Sequence, residues 1–355
     1  MSLLFSPLRL RSVTFPNRLW VSPMCMYSAV DGVVQDWHRT HLTQFASGGA
    51  GLIVAEATAV VAEGRISPRD AGIWTDEQRD AWAPVVDGIH ARGALAGIQL
   101  AHAGRKASTW WPWAAQRGSV PASEGGWVTS APSAVAFEGF DPPRALDAAD
   151  IDALVDAFAV AARRALDAGF DVLELHAAHG YLIHQFLSPL SNRRDDEYGG
   201  SLVNRARLLL RVLDAVRTTA GDDVPVFVRI SATDHADGGF DPEEATTVAE
   251  WARAHGADLI DVSSGGLVAH QRIEIFPGYQ VGLAGSVRRG GRIPTSAVGL
   301  ITAAEQAERV LEDGDADAIF AGREWLRDPH FALRAAHELG VEVPWPPQYE
   351  RARWR

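Results

Sequence analysis

The sequence of 355 residues predicts an α/β fold in which eight parallel strands, each followed by a helix, close into a (β/α)8 barrel. Three observations carry that expectation. Polar, alanine-rich helical stretches repeatedly end at a glycine with a short apolar strand just behind: Gly93 before Ala94–Leu100, Gly169 before Val172–Leu175, Gly256 before Leu259–Val262, and Gly314 before Ala318–Phe320. Glycine enters the left-handed conformation that ends a helix without a steric penalty. The strands are nearly continuous apolar runs rather than alternating ones, the pattern of a parallel sheet buried on both faces. No strand runs into a G-x-G-x-x-G turn, so a doubly wound dinucleotide-binding sheet loses its main support.

The elements follow in order. Arg18–Pro23 and Leu52–Ala57 supply the first two strands, and Ala94–Leu100 the third. Asp147 to Ala168 is a long periodic helix leading to the fourth strand, and Pro225–Ser231 is the fifth. Asp241-Pro242-Glu243-Glu244 places proline and acids in a first helical turn before the sixth strand. Ile293–Ala297 is a weaker seventh, and Thr302 with Glu305 reads as a capping box opening the helix before the eighth. Two segments exceed this repeat. Residues 103–146 follow strand three and are rich in Pro, Gly and Trp, including Trp110, Trp111, Trp113 and Trp127. Residues 177–200 follow strand four and end in Asp195-Asp196-Glu197-Tyr198-Gly199-Gly200. Both leave the C-terminal end of a strand, where barrels build active sites, so both are expected to be lids. The chain 1–355 reads as a single domain.

Composition narrows the function classes. Against 33 Lys plus Arg stand 45 Asp plus Glu, for a net charge of −12. That balance argues against nucleic acid or an anionic membrane as the main partner. Cys25 is the only cysteine, which excludes an internal disulfide and a multi-thiolate metal or iron–sulfur site. Met1 to Leu10 lacks a basic stretch followed by a long apolar run, and no run approaches about 18 uninterrupted apolar residues. The expectation is a cytoplasmic enzyme.

Chemistry-bearing residues sit at nearly every strand end. Ser22-Pro23-Met24-Cys25-Met26-Tyr27 follows strand one, Ala57-Thr58 strand two, and Gln99 with His102 strand three. Strand four runs into His176-Ala177-Ala178-His179-Gly180-Tyr181, and strand five holds Arg229. Strand six leads to Ser263-Ser264-Gly265-Gly266, strand seven to Gly299, and strand eight to Gly322-Arg323. An arginine inside an apolar strand is costly unless it meets an anion or negative dipole. Arg229 reads equally as an ion pair with a strand carboxylate such as Glu174 or as a cation facing the electron-rich end of a cofactor. Gly299 and Gly322-Arg323 close the last two strands, where barrels commonly bind phosphate. His176 and His179 read as metal ligands, as substrate hydrogen-bond donors or as structural imidazoles, with His102 and His184 as possible further ligands. A metal-dependent barrel hydrolase is therefore the rival class. Tyr181 weighs against it, because a phenol is a poor metal ligand but a good proton donor. Cys25 reads as a small buried hydrophobe or a cofactor contact.

Together these motifs resemble the Old Yellow Enzyme family, and within it the thermophilic-like branch of bacterial ene-reductases. The resemblance runs from Phe5-Ser6-Pro7-Leu8 to Gln348-Tyr349-Glu350-Arg351, most specifically through Ser22–Tyr27, Gln99–Lys106, His176–Tyr181 and Ser188-Pro189-Leu190-Ser191-Asn192. It implies a TIM barrel holding FMN, with Ser22, Pro23, Met24, Cys25 and Ala57 lining the flavin and Gln99 bonding its pyrimidine edge. Arg229 would sit where reduction builds negative charge, Gly299, Gly322 and Arg323 would hold the phosphate, and Cys25 would tune the redox behaviour. His176 and His179 would bond the oxygen of an α,β-unsaturated carbonyl, maleimide or nitro compound, Tyr181 would deliver the proton, and Tyr27 would line the pocket. NADPH, with NADH as the alternative, would be the reductant. The resemblance also implies a homodimer or homotetramer in which the 344–355 tail lies at the subunit interface and lends Arg351 to a neighbouring site. Here the tail continues through Arg353 and Trp354, either of which could take that place. The 109–127 stretch is longer than in compact members of the branch.

Overall fold

The structure, a computed structural model, describes residues 2–354. Eight strands form a closed parallel barrel: β1 Leu19–Val21, β2 Leu52–Ala59, β3 Leu95–Ala101, β4 Val172–Ala177, β5 Val226–Ser231, β6 Leu259–Ser263, β7 Thr295–Ala297 and β8 Ala318–Ala321. Each pairs with its neighbours in sequence, and β8 closes on β1 through Ile319 opposite Leu19 and Ala321 opposite Val21. The outer layer is α1 Asp36–Ser47, α2 Asp76–His90, α3 Ala148–Asp167, α4 Leu202–Ala220, α5 Pro242–Ala254, α6 Val281–Gly291, α7 Ala304–Glu312 and α8 Phe331–Glu338. Short extra helices cover Leu182–Leu187 and Arg323–Arg327. All eight expected strands are present.

The helix ends follow from the glycines. Gly169, Gly256 and Gly314 stand directly behind the caps of α3, α5 and α7, with φ of 97°, 93° and 73°. Helix α3 buries Ile151, Leu154, Val155, Phe158, Ala161, Ala162 and Ala165, a stripe at helical spacing that packs onto the barrel. The side chain of Asp241 accepts the N–H groups of Glu243 (3.0 Å) and Glu244 (2.9 Å) and caps α5 as expected. The Thr302–Glu305 box does not form. Gly299 and Leu300 both have positive φ, 121° and 52°, so the chain is still turning and α7 begins only at Ala304. Gln306 substitutes: it accepts the Thr302 N–H at 3.2 Å and donates to the Leu300 carbonyl at 3.2 Å.

The barrel interior is layered. At its N-terminal end an antiparallel hairpin, Leu8–Leu10 with Val13–Phe15, plugs the opening. Phe15, Trp20, Phe227 and Phe320 fill this end with Leu52, Val54, Val172 and Leu259. Above them Gln99, Glu174, Arg229, Asp261 and Ser296 form a buried polar layer. A bulge in β2 shifts the register between Ala55 and Ala57, so that Ala57 pairs with Gln99. Glu56, the residue inside the bulge, lies 3.4 Å from His38 of α1 and accepts the Met26 N–H at 3.3 Å. The bulge thus lets one strand serve both the barrel mouth and the helix layer.

Candidate active site

The C-terminal mouth of the barrel gathers most residues singled out from the sequence. A cavity of about 250 Å3 is lined by Ser22, Pro23, Met24, Arg229, Gly299, Gly322 and Arg323, together with Ser263, Tyr279 and Gln280. Beside it, Ala57, Cys25, Tyr27 and Tyr181 join one apolar cluster with Ile66, Ala101, Ala103, Ala107 and Trp127. The rings of His176 and His179 lie 5.2 Å apart, and those of His176 and Tyr181 4.9 Å, both edge to face. Gln99 lies in the layer beneath, opposite Ala57 on one side and Glu174 on the other. Arg351 is exposed on the short helical segment Pro347–Ala352 and is not among the residues assembled here. The tail instead packs on its own α8, with Tyr349 against His330 (5.4 Å) and Trp354 stacked on His337 (4.9 Å).

Arg229 pairs with Asp261, not with Glu174. Its Nε lies 3.1 Å from Asp261 Oδ2 and its Nη1 donates to Ser22 Oγ at 3.1 Å. The register explains the choice: Asp261 is directly opposite Arg229 across β5 and β6, whereas Glu174 faces Phe227. Glu174 accepts from Gln99 Nε2 at 2.7 Å, and its second oxygen has no partner. Two buried carboxyls thus surround one guanidinium, and charge balance calls for one proton between them. Burial, and then the neighbouring Asp261, push Glu174 up to about 8, so the proton resides there at neutral pH. Burial pushes Asp261 up as well, but the Arg229 guanidinium at 3.1 Å and the Ser296 hydroxyl at 2.9 Å oppose that push, and on this contact we assign the charge to Asp261.

The histidines are neutral. Burial first, and the Arg229 charge second, hold His176 and His179 well below the usual imidazole range. The Ala178 N–H donates to His176 Nδ1 at 3.3 Å, so the ring proton is on Nε2. His179 Nε2 is 2.7 Å from Ser263 Oγ, which also reaches Gln280 Oε1 at 3.3 Å. Burial raises the Tyr181 phenol well above its ordinary value, so it keeps its proton. Burial, and then Asp70 and Glu56, likewise raise Cys25, which is a thiol rather than a thiolate. Among the described residues no three His, Cys, Asp or Glu side chains are grouped to hold a metal.

A flat anionic cofactor suits this donor set. Arg229, anchored through Nε on Asp261 and through Nη1 on Ser22, lines the same cavity as Gly299, Gly322 and Arg323. That places a cation at one end and backbone donors and a second cation at the other, beside an apolar mouth bearing neutral hydrogen-bond donors. Sequence reasoning missed Asp261 and Gln280, and it gave Ser263 and Lys106 a place at the strand ends but no role. Asp261 had a signal, since a lone acid inside Leu259-Ile260-Asp261-Val262 is as anomalous as Arg229. The other three become meaningful only when distant loops meet.

The comparisons with known proteins agree with this chemistry. A family model described as the NADH:flavin oxidoreductase / NADH oxidase family matches residues 3–342. The chain is 50% identical over 358 residues to an NADPH dehydrogenase of Listeria monocytogenes, covering 100% of both chains. It superposes on the Old Yellow Enzyme homologue from Zymomonas mobilis with a TM-score of 0.80 at 29% identity, covering 99% of each chain. Morphinone reductase in complex with tetrahydroNAD gives a TM-score of 0.78 at 30% identity over 97% of this chain and 93% of that one. The chain therefore belongs to the NADH:flavin oxidoreductase / NADH oxidase family and is an oxidoreductase of the Old Yellow Enzyme type that works with FMN and NAD(P)H.

Proposed function

We propose that the protein is an ene-reductase, reducing the activated C=C bond of α,β-unsaturated carbonyl, maleimide or nitro compounds. The observation that carries this reading is the grouping of two neutral imidazoles and a protonated phenol at the barrel mouth, facing Cys25 and Tyr27 and opening beside the Arg229 cavity. FMN, when bound, would supply the hydride-transfer chemistry between the nicotinamide and the substrate's β-carbon. Ser22, Pro23, Met24, Cys25, Ala57 and Gln99 would hold its ring system. Arg229 would stand against the negative charge that reduction creates, and Gly299, Gly322 and Arg323 would hold its phosphate.

His176 donates from Nε2 to the substrate oxygen and draws electron density from the β-carbon. His179 joins it by exchanging its Ser263 contact for the substrate, and the hydroxyl is left with Gln280 rather than stranded. Neutral rings suit this role, because each polarises the oxygen without surrendering a proton. Tyr181 gives its phenolic proton to the α-carbon, breaking an O–H bond as the C–H bond forms. Tyr27 lines the opposite wall.

NADPH is the reductant we infer, in keeping with the NADPH dehydrogenases that share half of this sequence. A cytoplasmic enzyme with a single domain and a lid over residues 103–146 fits the same reading. The exposed Arg351 is free to enter the site of a second subunit in a homodimer or homotetramer; a strictly monomeric, fully active protein in sedimentation and activity measurements would exclude that exchange.

The deciding experiment records the absorbance of the purified protein, then adds NADPH without oxygen, then cyclohexenone. A flavin spectrum that bleaches with NADPH and returns with the enone supports both half-reactions. Bleaching that no enone, maleimide or nitroalkene reverses would refute the ene-reductase reading while leaving the oxidoreductase intact.

A further inference from the structure

Between His176 and Tyr181 the chain turns through two left-handed residues, His179 at φ 58° and Gly180 at φ 74°. A histidine there is disfavoured by about 1 kcal/mol, so something outside the turn must hold it. All four backbone polar groups of these two residues are met by side chains. The His179 N–H donates to Ser231 Oγ (2.9 Å), and Lys106 Nζ donates to the His179 carbonyl (2.9 Å). The Gly180 N–H donates to His184 Nδ1 (2.9 Å), and Gln185 Nε2 donates to the Gly180 carbonyl (2.7 Å).

The His184 contact is the selective one. A backbone N–H can donate only to a bare ring nitrogen, so the imidazole proton must be on Nε2. Nε2 faces Asp234 Oδ1 at 2.8 Å; the contact is bent, but neither atom has any other partner. Both side chains are 0% exposed, so no solvent can substitute. The second oxygen of Asp234 is occupied, accepting from Ser188 Oγ (2.6 Å) and from the Phe240 N–H (2.7 Å). Its orientation is therefore set by two donors from loops that leave β4 and β5. We propose that His184 and Asp234 are a positioning pair: the carboxylate selects the Nε2–H tautomer, and that tautomer holds the His179–Tyr181 turn in the conformation that presents the phenol. The proposal rests on the reading of Tyr181 as the proton donor.

The substitution Asp234→Asn has a defined consequence. The two donors at the outer oxygen keep the amide oxygen there, which turns the amide N–H2 towards His184 Nε2. The ring proton is then driven to Nδ1, against the Gly180 N–H, and the turn loses its anchor. In the double variant with His184→Asn, an amide oxygen at the Nδ1 position accepts the Gly180 N–H without any tautomer to choose.

The test uses the FMN-loaded enzyme. Asp234→Asn is expected to speed hydrogen exchange across residues 177–185 by roughly tenfold and to slow flavin reoxidation by enone by roughly tenfold to a hundredfold. The double variant is expected to recover most of both. Unchanged exchange in Asp234→Asn, or damage spread over the whole chain that the double variant does not repair, overturns the pair. If the variants do not fold, 15N NMR of histidine-labelled wild-type enzyme decides, since a His184 proton on Nδ1 is incompatible with the proposal. Tyr181→Phe examines the proton-donor reading separately: an undiminished reoxidation rate would defeat that reading and leave the turn to be judged by exchange alone.

Discussion

Two side chains, Tyr181 at the barrel mouth and Glu174 in the polar layer beneath it, owe their chemistry to their surroundings. Tyr181 is half-buried, and desolvation keeps its proton in place far above neutral pH, which makes it a reserve of one proton rather than a base. Tyr181→Phe should slow the enone half-reaction by about 100-fold or more while NADPH still bleaches the flavin at close to the native rate, as separated by stopped-flow absorbance. Proton delivery in the native enzyme should stay constant from pH 6 to pH 9, because the phenol does not titrate there. Glu174 gives a prediction about stability. Its carboxyl ordinarily ionises near 4.5 and is pushed up to about 8 in the folded chain, so the native state holds a proton that the unfolded state has released. Its contribution is therefore fully present below about 4.5 and is lost as pH rises through about 8. Glu174→Gln mimics the protonated form at every pH. Its melting temperature relative to wild type should rise steadily between pH 5 and pH 8.5; a constant difference would place the shared proton elsewhere.

At the scale of elements, the loops after β3 and β4 decide what the site is. Residues 103–146 carry a short parallel pair, Ser130–Ala131 with Arg144–Ala145, and are braced by cation–π contacts of Arg69 on Trp111 (4.1 Å) and Arg65 on Trp127 (4.9 Å). They bring Trp113, still 61% exposed, edge to face against Tyr27 at 5.7 Å. An exposed indole there offers a flat apolar wall to a bulky substrate. Trp113→Ala should raise KM for large cyclic enones by roughly threefold to tenfold, the worth of one aromatic contact, with kcat and the KM of small enones nearly unchanged. Equal changes for small and large substrates would remove Trp113 from the wall. The sequence marked this stretch by its tryptophans and prolines, but not which indole meets Tyr27, because that contact joins loops from two different strands.

The whole molecule keeps stability and chemistry at opposite ends of one barrel. Phe15 in the hairpin plug is fully buried and packs on Trp20 (4.7 Å) and Phe227 (6.2 Å) at the N-terminal opening. Phe15→Ala should cost roughly 3–5 kcal/mol in denaturant unfolding while leaving catalysis at low temperature intact, since the plug is separated from the mouth by the polar layer. Loss of activity without loss of stability would show that the two ends are coupled.

The residues that could be read without a structure are those whose type conflicts with a barrel strand or its end. Arg229 inside an apolar run, His176, His179 and Tyr181 beyond β4, and Gly299 and Gly322 beyond the last strands stood out on local grounds, as did the helix-ending glycines and all eight strands. Local pattern suffices there because strand burial, helix termination and the C-terminal siting of barrel chemistry are each properties of a short segment. The tertiary structure alone decided the partners. Asp261 rather than Glu174 meets Arg229 because strand register, which no single strand encodes, sets who stands opposite whom. The Thr302 box yields to Gln306 because the preceding left-handed turn moves the helix start. Lys106 and His184, the latter backed by Asp234, take up their contacts with the His179–Tyr181 turn only when loops after β3, β4 and β5 converge, and that convergence is fixed by closing the barrel.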